Sequence, residues 1–280
     1  MGYYEFTVKT ADESRDALMQ RTSAAGCLGM IENEKDIIAY FRDTQGINEL
    51  AENLNSFKTI LRESGLDSTL SFEYVFISER DWNESWKKKF KPIDVGDIFS
   101  VLPPWEEKKS GRINLVIDPG MAFGTGHHET TKTCLMLIEK LSSGKKKESF
   151  LDVGTGTGIL AIAASVIGYK YVVGVDIDPL AVDASLRNVK LNNLDNIAIR
   201  EGSVSAVEGP YDFIAANLMS EILIQIAPEL APRLNRSGAA LLSGMLTGQE
   251  DGVITAMENC GLRFLEKFAD GRWVSVALTR

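Results

Sequence analysis

Apolar and polar residues alternate from Tyr3 to Val8, the period of two expected of a strand with one buried face. The next stretch, Thr10-Ala-Asp-Glu13, has the T-x-x-E form of a capping box and predicts a helix running to about Ala24. Two short apolar runs follow, CLGMIE and DIIAYFR, divided by the polar NEK. INELAENLNSFKTILRES then spaces its apolar residues near 3.6, and TLSFEYVFI returns to alternation. Strand, helix, two strands, helix and strand is the order of the split βαβ, ferredoxin-like arrangement, an α+β fold that hosts many functions and names none.

Beyond it, Trp82, Trp86 and Phe90 recur every fourth residue in RDWNESWKKKFK, which predicts a helix with one aromatic face. The basic run from Trp86 to Lys91 reads as the solvated side of that helix. KPIDVGDIFSVLPPWEEKKSGR is rich in Pro, Gly and charge, so residues 80–111 read as a linker after a first domain of residues 1–79.

From Ile113 the rhythm changes. RINLVID precedes a helix from about Thr130 to Leu141, SFLDV one from Gly158 to Gly168, and YVVGVD one from Pro179 to Asn192. NIAIREG follows, then YDFIAANL with a helix through Leu234, GAALLSG with a helix from about Thr247 to Cys260, and finally LRFLEKFAD and GRWVSVALTR. Strands alternating with helices predict an α/β domain over residues 112–280, a parallel sheet with helices on both faces. Asp270-Gly271 between the last two runs is a hairpin signal, which makes one terminal strand antiparallel.

Composition narrows the class. The 280 residues are 44% hydrophobic and 25% charged, ordinary for a soluble globular protein. No apolar run approaches the roughly 18 residues needed to span a bilayer, and the first residues lack a signal peptide's basic-then-apolar layout, so the expected setting is the cytoplasm with no membrane partner. Cys27, Cys134 and Cys260 are far apart and odd in number, which suits neither a disulfide framework nor a CxxC metal site. A net charge of -9 speaks against direct nucleic-acid binding, and residues 1–100 alone hold 12 Lys and Arg against 18 Asp and Glu.

The densest local signal is FLDVGTGTGILAIAA. An apolar strand runs into Gly154, Gly156 and Gly158 and straight on into a helix, so the backbone can turn sharply, approach a ligand closely and offer it a helix amino terminus. The spacing G-x-G-x-G lacks the third glycine of a dinucleotide loop, position 159 being Ile, which weakens a nicotinamide oxidoreductase reading. Asp176 ends the next strand 20 residues past Gly156, where a carboxylate accepts hydrogen bonds from both ribose hydroxyls. Its other role would be a helix cap before Pro179, for which Asp178 is better placed. Asn217 ends a later strand; it suits orienting an amine or contacting a cofactor at the carboxyl edge of the sheet, or capping the following helix.

Both histidines of the chain, His127 and His128, stand side by side in DPGMAFGTGHHETTKT. Adjacent histidines fit a metal site, a general base or a pair of structural hydrogen bonds. The spacing matches no H-E-x-x-H or Cys-containing zinc pattern and there is no third histidine, so no metal is expected.

The glycine loop, the acid ending the next strand and the polar end of a later one together resemble the class I S-adenosylmethionine-dependent methyltransferases. DPGMAFGTGHHETT, LDVGTGTGILAIAA, VGVDIDP and AANL, with DWxxxW at Asp81 to Trp86, resemble more specifically the ribosomal protein L11 methyltransferase family (PrmA). That resemblance implies a Rossmann-like seven-stranded methyltransferase domain preceded by the small ferredoxin-like domain as substrate-recognition module. It also implies S-adenosyl-L-methionine as cofactor and ribosomal protein L11 as substrate, methylated on lysine side chains and its N-terminal amine. The family's cofactor contacts carry over onto Thr131, Gly154, Asp176 and Asn217, with Gly156 in the same loop. His128 and Phe123 become walls around the methionine end of the cofactor. Many amine methyltransferases have N-P-P-Y where this chain has Asn217-Leu218-Met219-Ser220, a departure that disfavours amide-type acceptors but not lysines. The alternative is a methyltransferase of the same class acting on another protein or a small-molecule amine.

Overall fold

In the first strand, β1 (Gly2–Lys9), Phe6 and Val8 are fully buried, and in β3 (Ile37–Arg42) Ile37, Ala39 and Phe41 join them. Helix α2 (Ile47–Glu63) closes over this face with Leu50, Leu54, Phe57 and Leu61, a spacing of four, three and four that keeps all four on one stripe. Helix α1 (Asp12–Ala24) adds Leu18. With β2 (Gly29–Glu32) and β4 (Ser71–Ser78) the sheet order is β2-β3-β1-β4, antiparallel throughout, the ferredoxin-like arrangement. The capping box does not form. Ala11 occupies the cap of α1, because the extended chain leaving β1 carries Thr10 one residue outside the position from which its hydroxyl would reach the third helical N–H.

The computed structural model describes residues 2–33, 36–43, 46–63, 69–78, 90–118 and 124–280, and its two compact units are Met1–Phe90 and Lys91–Arg280. Trp82, Trp86, most of the basic run and Phe123 lie outside the described residues; Phe90 is described and buried.

Residues 91–111, expected as linker, contain two strands. β5 (Ile93–Val95) turns at Gly96 into β6 (Phe99–Leu102), which pairs in parallel with β7 (Ile113–Val116) in a separate three-stranded sheet. The run RINLVID therefore does not enter the large sheet. Strands of only three and four residues leave too short a pattern for sequence to register.

The large sheet contains β8 (Ser149–Val153), β9 (Tyr171–Asp176), β10 (Ile197–Glu201), β11 (Tyr211–Asn217), β12 (Leu234–Leu246), β13 (Arg263–Asp270) and β14 (Trp273–Thr279). Their order is β10-β9-β8-β11-β12-β14-β13, with β14 antiparallel to both neighbours across the Asp270-Gly271 turn. Helices α3 (Glu129–Ser142), α4 (Ile159–Val166) and α5 (Pro179–Leu191) cover one face, where Phe150, Phe213 and Leu241 are buried. Helices α6 (Ser220–Leu230) and α7 (Glu250–Asn259) cover the other, over Leu151, Val175 and Ile214. Between β8 and β11 the winding direction reverses, and ligands of open α/β sheets bind beyond the carboxyl ends of strands at such a point. Among the described residues no helix is long and apolar enough to cross a membrane.

Candidate active site

Three glycines in the left-handed region carry the chain out of β8: Gly154 at φ +72°, Gly156 at +56° and Gly158 at +82°. A Cβ on Gly154 would stand 2.4 Å from Leu218 Cδ2, so the backbone angle disfavours any other residue and the Leu218 side chain would have to shift. The loop is tied to the next strand by its own amides. Gly154 and Thr155 N–H donate to the Val175 carbonyl at 2.9 and 3.0 Å, and Gly156 N–H donates to Asp176 Oδ2 at 2.8 Å. The other oxygen of Asp176 accepts from Asp178 N–H at 3.0 Å, which leaves this half-buried carboxylate anchored at the end of β9. Asp178, not Asp176, caps α5, accepting from Leu180 N–H ahead of Pro179.

Beneath the loop lies Asp152, which sequence reasoning passed over. Its Oδ2 accepts from Thr155 Oγ1 at 2.7 Å and from Ala161 N–H at 3.1 Å, clamping the loop to the first turn of α4. Burial pushes this carboxyl up to about 7, against the lowering pull of those two hydrogen bonds and with the charge of Asp176 adding to the rise.

The GTGHHETT segment docks on the same loop. Thr157 Oγ1 donates to the Gly124 carbonyl at 2.6 Å, and Gly124 and Gly126 take φ of +104° and +86°. His128 is the cap of α3, its Nδ1 accepting from Thr130 N–H at 3.3 Å. That same nitrogen lies 2.8 Å from Thr130 Oγ1, and Asn217 Nδ2 donates to Thr130 Oγ1 at 3.2 Å. Since the Asn amide donates to the hydroxyl oxygen, the hydroxyl proton is free to go to the imidazole. A chain of donors therefore runs from Asn217 through Thr130 to His128, and leaves Asn217 Oδ1 as the acceptor of that amide. The His128 ring stands edge-on to Trp273 with centroids 5.0 Å apart. His127 sits apart from this chain, and burial lowers its pKa below the usual imidazole value, so it is neutral at pH 7.

The structure thus brings Gly154, Gly156, Asp176, Asn217, Thr131 and His128 to the carboxyl ends of β8, β9 and β11 and the start of α3. Asn217 is not a helix cap, since Met219 holds that place for α6. Thr130 and Leu218 lie within the DPGMAFGTGHHETT and AANL motifs, which give them no role of their own, and no motif marks Trp273. A Thr within a helix start and a Trp after a hairpin turn are unremarkable in sequence until the fold sets them beside Asn217 and His128. Among the described residues, no three His, Cys, Asp or Glu side chains cluster as metal ligands.

Residues 3–280 match the family model of ribosomal protein L11 methyltransferase (PrmA). The chain belongs to this family. Ribosomal protein L11 methyltransferases of Clostridium perfringens strain SM101 and Clostridium botulinum strain Eklund 17B are each 38% identical to it, over 84% of this chain and 75% and 76% of their own lengths. The crystal structure of a ribosomal protein L11 methylase from Lactobacillus delbrueckii subsp. bulgaricus aligns with a TM-score of 0.63 at 33% identity, covering 68% of this chain and 99% of that one.

As a member of the PrmA family the chain is a methyltransferase dependent on S-adenosyl-L-methionine. Its residues fit that cofactor. The Thr131 hydroxyl is buried with no hydrogen-bond partner among the described residues, which a polar ligand group would supply. Gly154 and Gly156 open the backbone where a ligand must approach closely, and the Asp176 carboxylate suits a pair of ribose hydroxyls.

Proposed function

We propose that this PrmA-family protein methylates ribosomal protein L11 on lysine side chains and its N-terminal amine, with Thr131, Gly154, Gly156, Asp176 and Asn217 holding the cofactor and His128 walling its methionine end. The observation that carries this is the Asn217–Thr130–His128 chain at the switch point of the sheet, facing the glycine loop. Bound there, S-adenosyl-L-methionine supplies an electrophilic methyl group on a sulfonium.

The protein's part is to present a neutral amine in line. A lysine with pKa near 10.4 lies about 3.4 units above pH 7, roughly 4.6 kcal/mol of deprotonation, whereas an α-amine near 7.8 needs only about 1. Desolvation at the strand ends lowers that cost, and positioning does most of the rest. Asn217 Oδ1 is the acceptor for an amine N–H, held in place because its Nδ2 is committed to Thr130. Water takes the released proton, so no protein base is required.

Residues 1–79 serve as the substrate-recognition module, and the unit of residues 91–280 performs the transfer. The partner is the ribosomal protein itself, with no direct nucleic-acid contact, in the cytoplasm. Mass spectrometry of L11 after incubation with the enzyme and S-adenosyl-L-methionine should show whole-methyl increments on specific lysines and the N-terminus. Methylation of other proteins or small amines in preference to L11 would sink this reading.

A further inference from the structure

Asn188 lies on the stripe of α5 that faces the glycine loop, with the buried Ala181, Ala184 and Ser185, and only 1% of its surface is exposed. A primary amide is costly to bury unless both ends are satisfied, and here both are. Its Oδ1 accepts from Asp118 N–H at 2.8 Å and its Nδ2 donates to the Thr157 carbonyl at 2.9 Å. Thr157 is itself fully buried and donates its hydroxyl to the Gly124 carbonyl at 2.6 Å. Asp118 and Gly124 are the two described ends of the segment leading to His128. One side chain thus fixes the near end directly and the far end through Thr157, and it reaches both from the helix behind the glycine loop.

Asn192, one turn later, makes a second clip of a different kind. It accepts from Val116 N–H at 2.9 Å and donates to the Val116 carbonyl at 2.7 Å and to the Asn188 backbone carbonyl at 2.8 Å, and none of these bonds goes to the glycine loop. The two amides therefore separate holding the small sheet in place from setting the spacing across the site.

We propose that Asn188 is a positioning residue of the cofactor site, setting the separation between the glycine loop and the segment ends at Asp118 and Gly124, so that its amide governs cofactor affinity without touching the cofactor. This rests on the site assigned above.

Isothermal titration of S-adenosyl-L-homocysteine, with melting temperatures recorded alongside, tests it on the full-length chain. Asn188→Ala should weaken binding by about tenfold or more, while Asn192→Ala, which also loses partly buried hydrogen bonds, should stay within about threefold of the parent. A role in stability alone would weaken affinity equally in both variants, or in neither, and either result overturns the proposal. Should Asn188→Ala not fold, Thr157→Val breaks the same ring at its last bond and should show the same loss; unchanged binding in that variant would likewise overturn it. Asp176→Ala, measured in parallel, separates the two levels. Parent-like affinity there rejects the site assignment itself, whereas loss there with retention in Asn188→Ala rejects only the positioning role.

Discussion

The four-stranded sheet of residues 2–78 buries one face against two helices, and among the described residues its edge strand β4 pairs only with β1, whereas the central strands of the seven-stranded sheet are buried on both faces. Tyr74, Val75 and Phe76 on β4 are 49%, 53% and 53% exposed, although Tyr74 and Phe76 also pack edgewise or tilted against Phe6 and Tyr4. In the large sheet the side chains of β8, β9, β11 and β12 divide between two separate apolar clusters. Polar side chains such as Asp152, Asp176, Asn217 and Ser243 fall toward the strands' carboxyl ends. A sheet sealed on both faces concentrates its chemistry at one edge, while a sheet open on one strand spreads apolar surface where another protein can meet it.

That contrast can be broken hardest at the sealed edge. Gly154→Ala places a Cβ 2.4 Å from Leu218 Cδ2 at a backbone angle that disfavours it, and should reduce methyl transfer by about a hundredfold or more together with a lowered melting temperature. Retained activity would show that the loop can move aside. Next in size, Phe6→Ala empties the core of the small unit and should cost about 3–5 kcal/mol there. A separate early unfolding transition and a raised KM for L11 are expected, with affinity for S-adenosyl-L-homocysteine unchanged; a fall in that affinity would show that the two sheets do not divide the labour.

The smallest effect sharpens the comparison through pH. Burial raises the carboxyl of Asp152 from 3.8 to about 7 in the folded protein, which therefore keeps a proton that the unfolded chain releases over that interval. Its contribution to stability is complete below about pH 4 and is lost as pH rises through 7. Asp152→Asn removes the dependence, so its melting temperature should gain on the parent's as pH increases from 5 to 8. Parallel curves in calorimetry would contradict the raised value.

The features legible in sequence were those set by local chemistry. The β-α rhythm, the glycine spacing, the Asp178–Pro179 helix start and the Asp270-Gly271 hairpin each follow from residues a few positions apart. The features that were hidden depend on partners far along the chain. Thr130 matters because Asn217, 87 positions away, donates to it, and Asn188 because Asp118 and Thr157 do not lie near it in sequence. Thr10 misled for the converse reason: its motif was correct, but the exit from β1 set the helix start one residue later. The strands at Ile93 and Phe99 were obscured by the charged, Pro-rich stretch that surrounds them.

Trp273 stacks edgewise on His128 within the candidate site, and its indole is a fluorophore as well as a wall. Its emission depends on what lies against its edge, so a ligand that shifts the imidazole is expected to change brightness or wavelength. With His128 walling the cofactor as proposed, this indole would report occupancy, and stopped-flow fluorescence should follow cofactor arrival without any label.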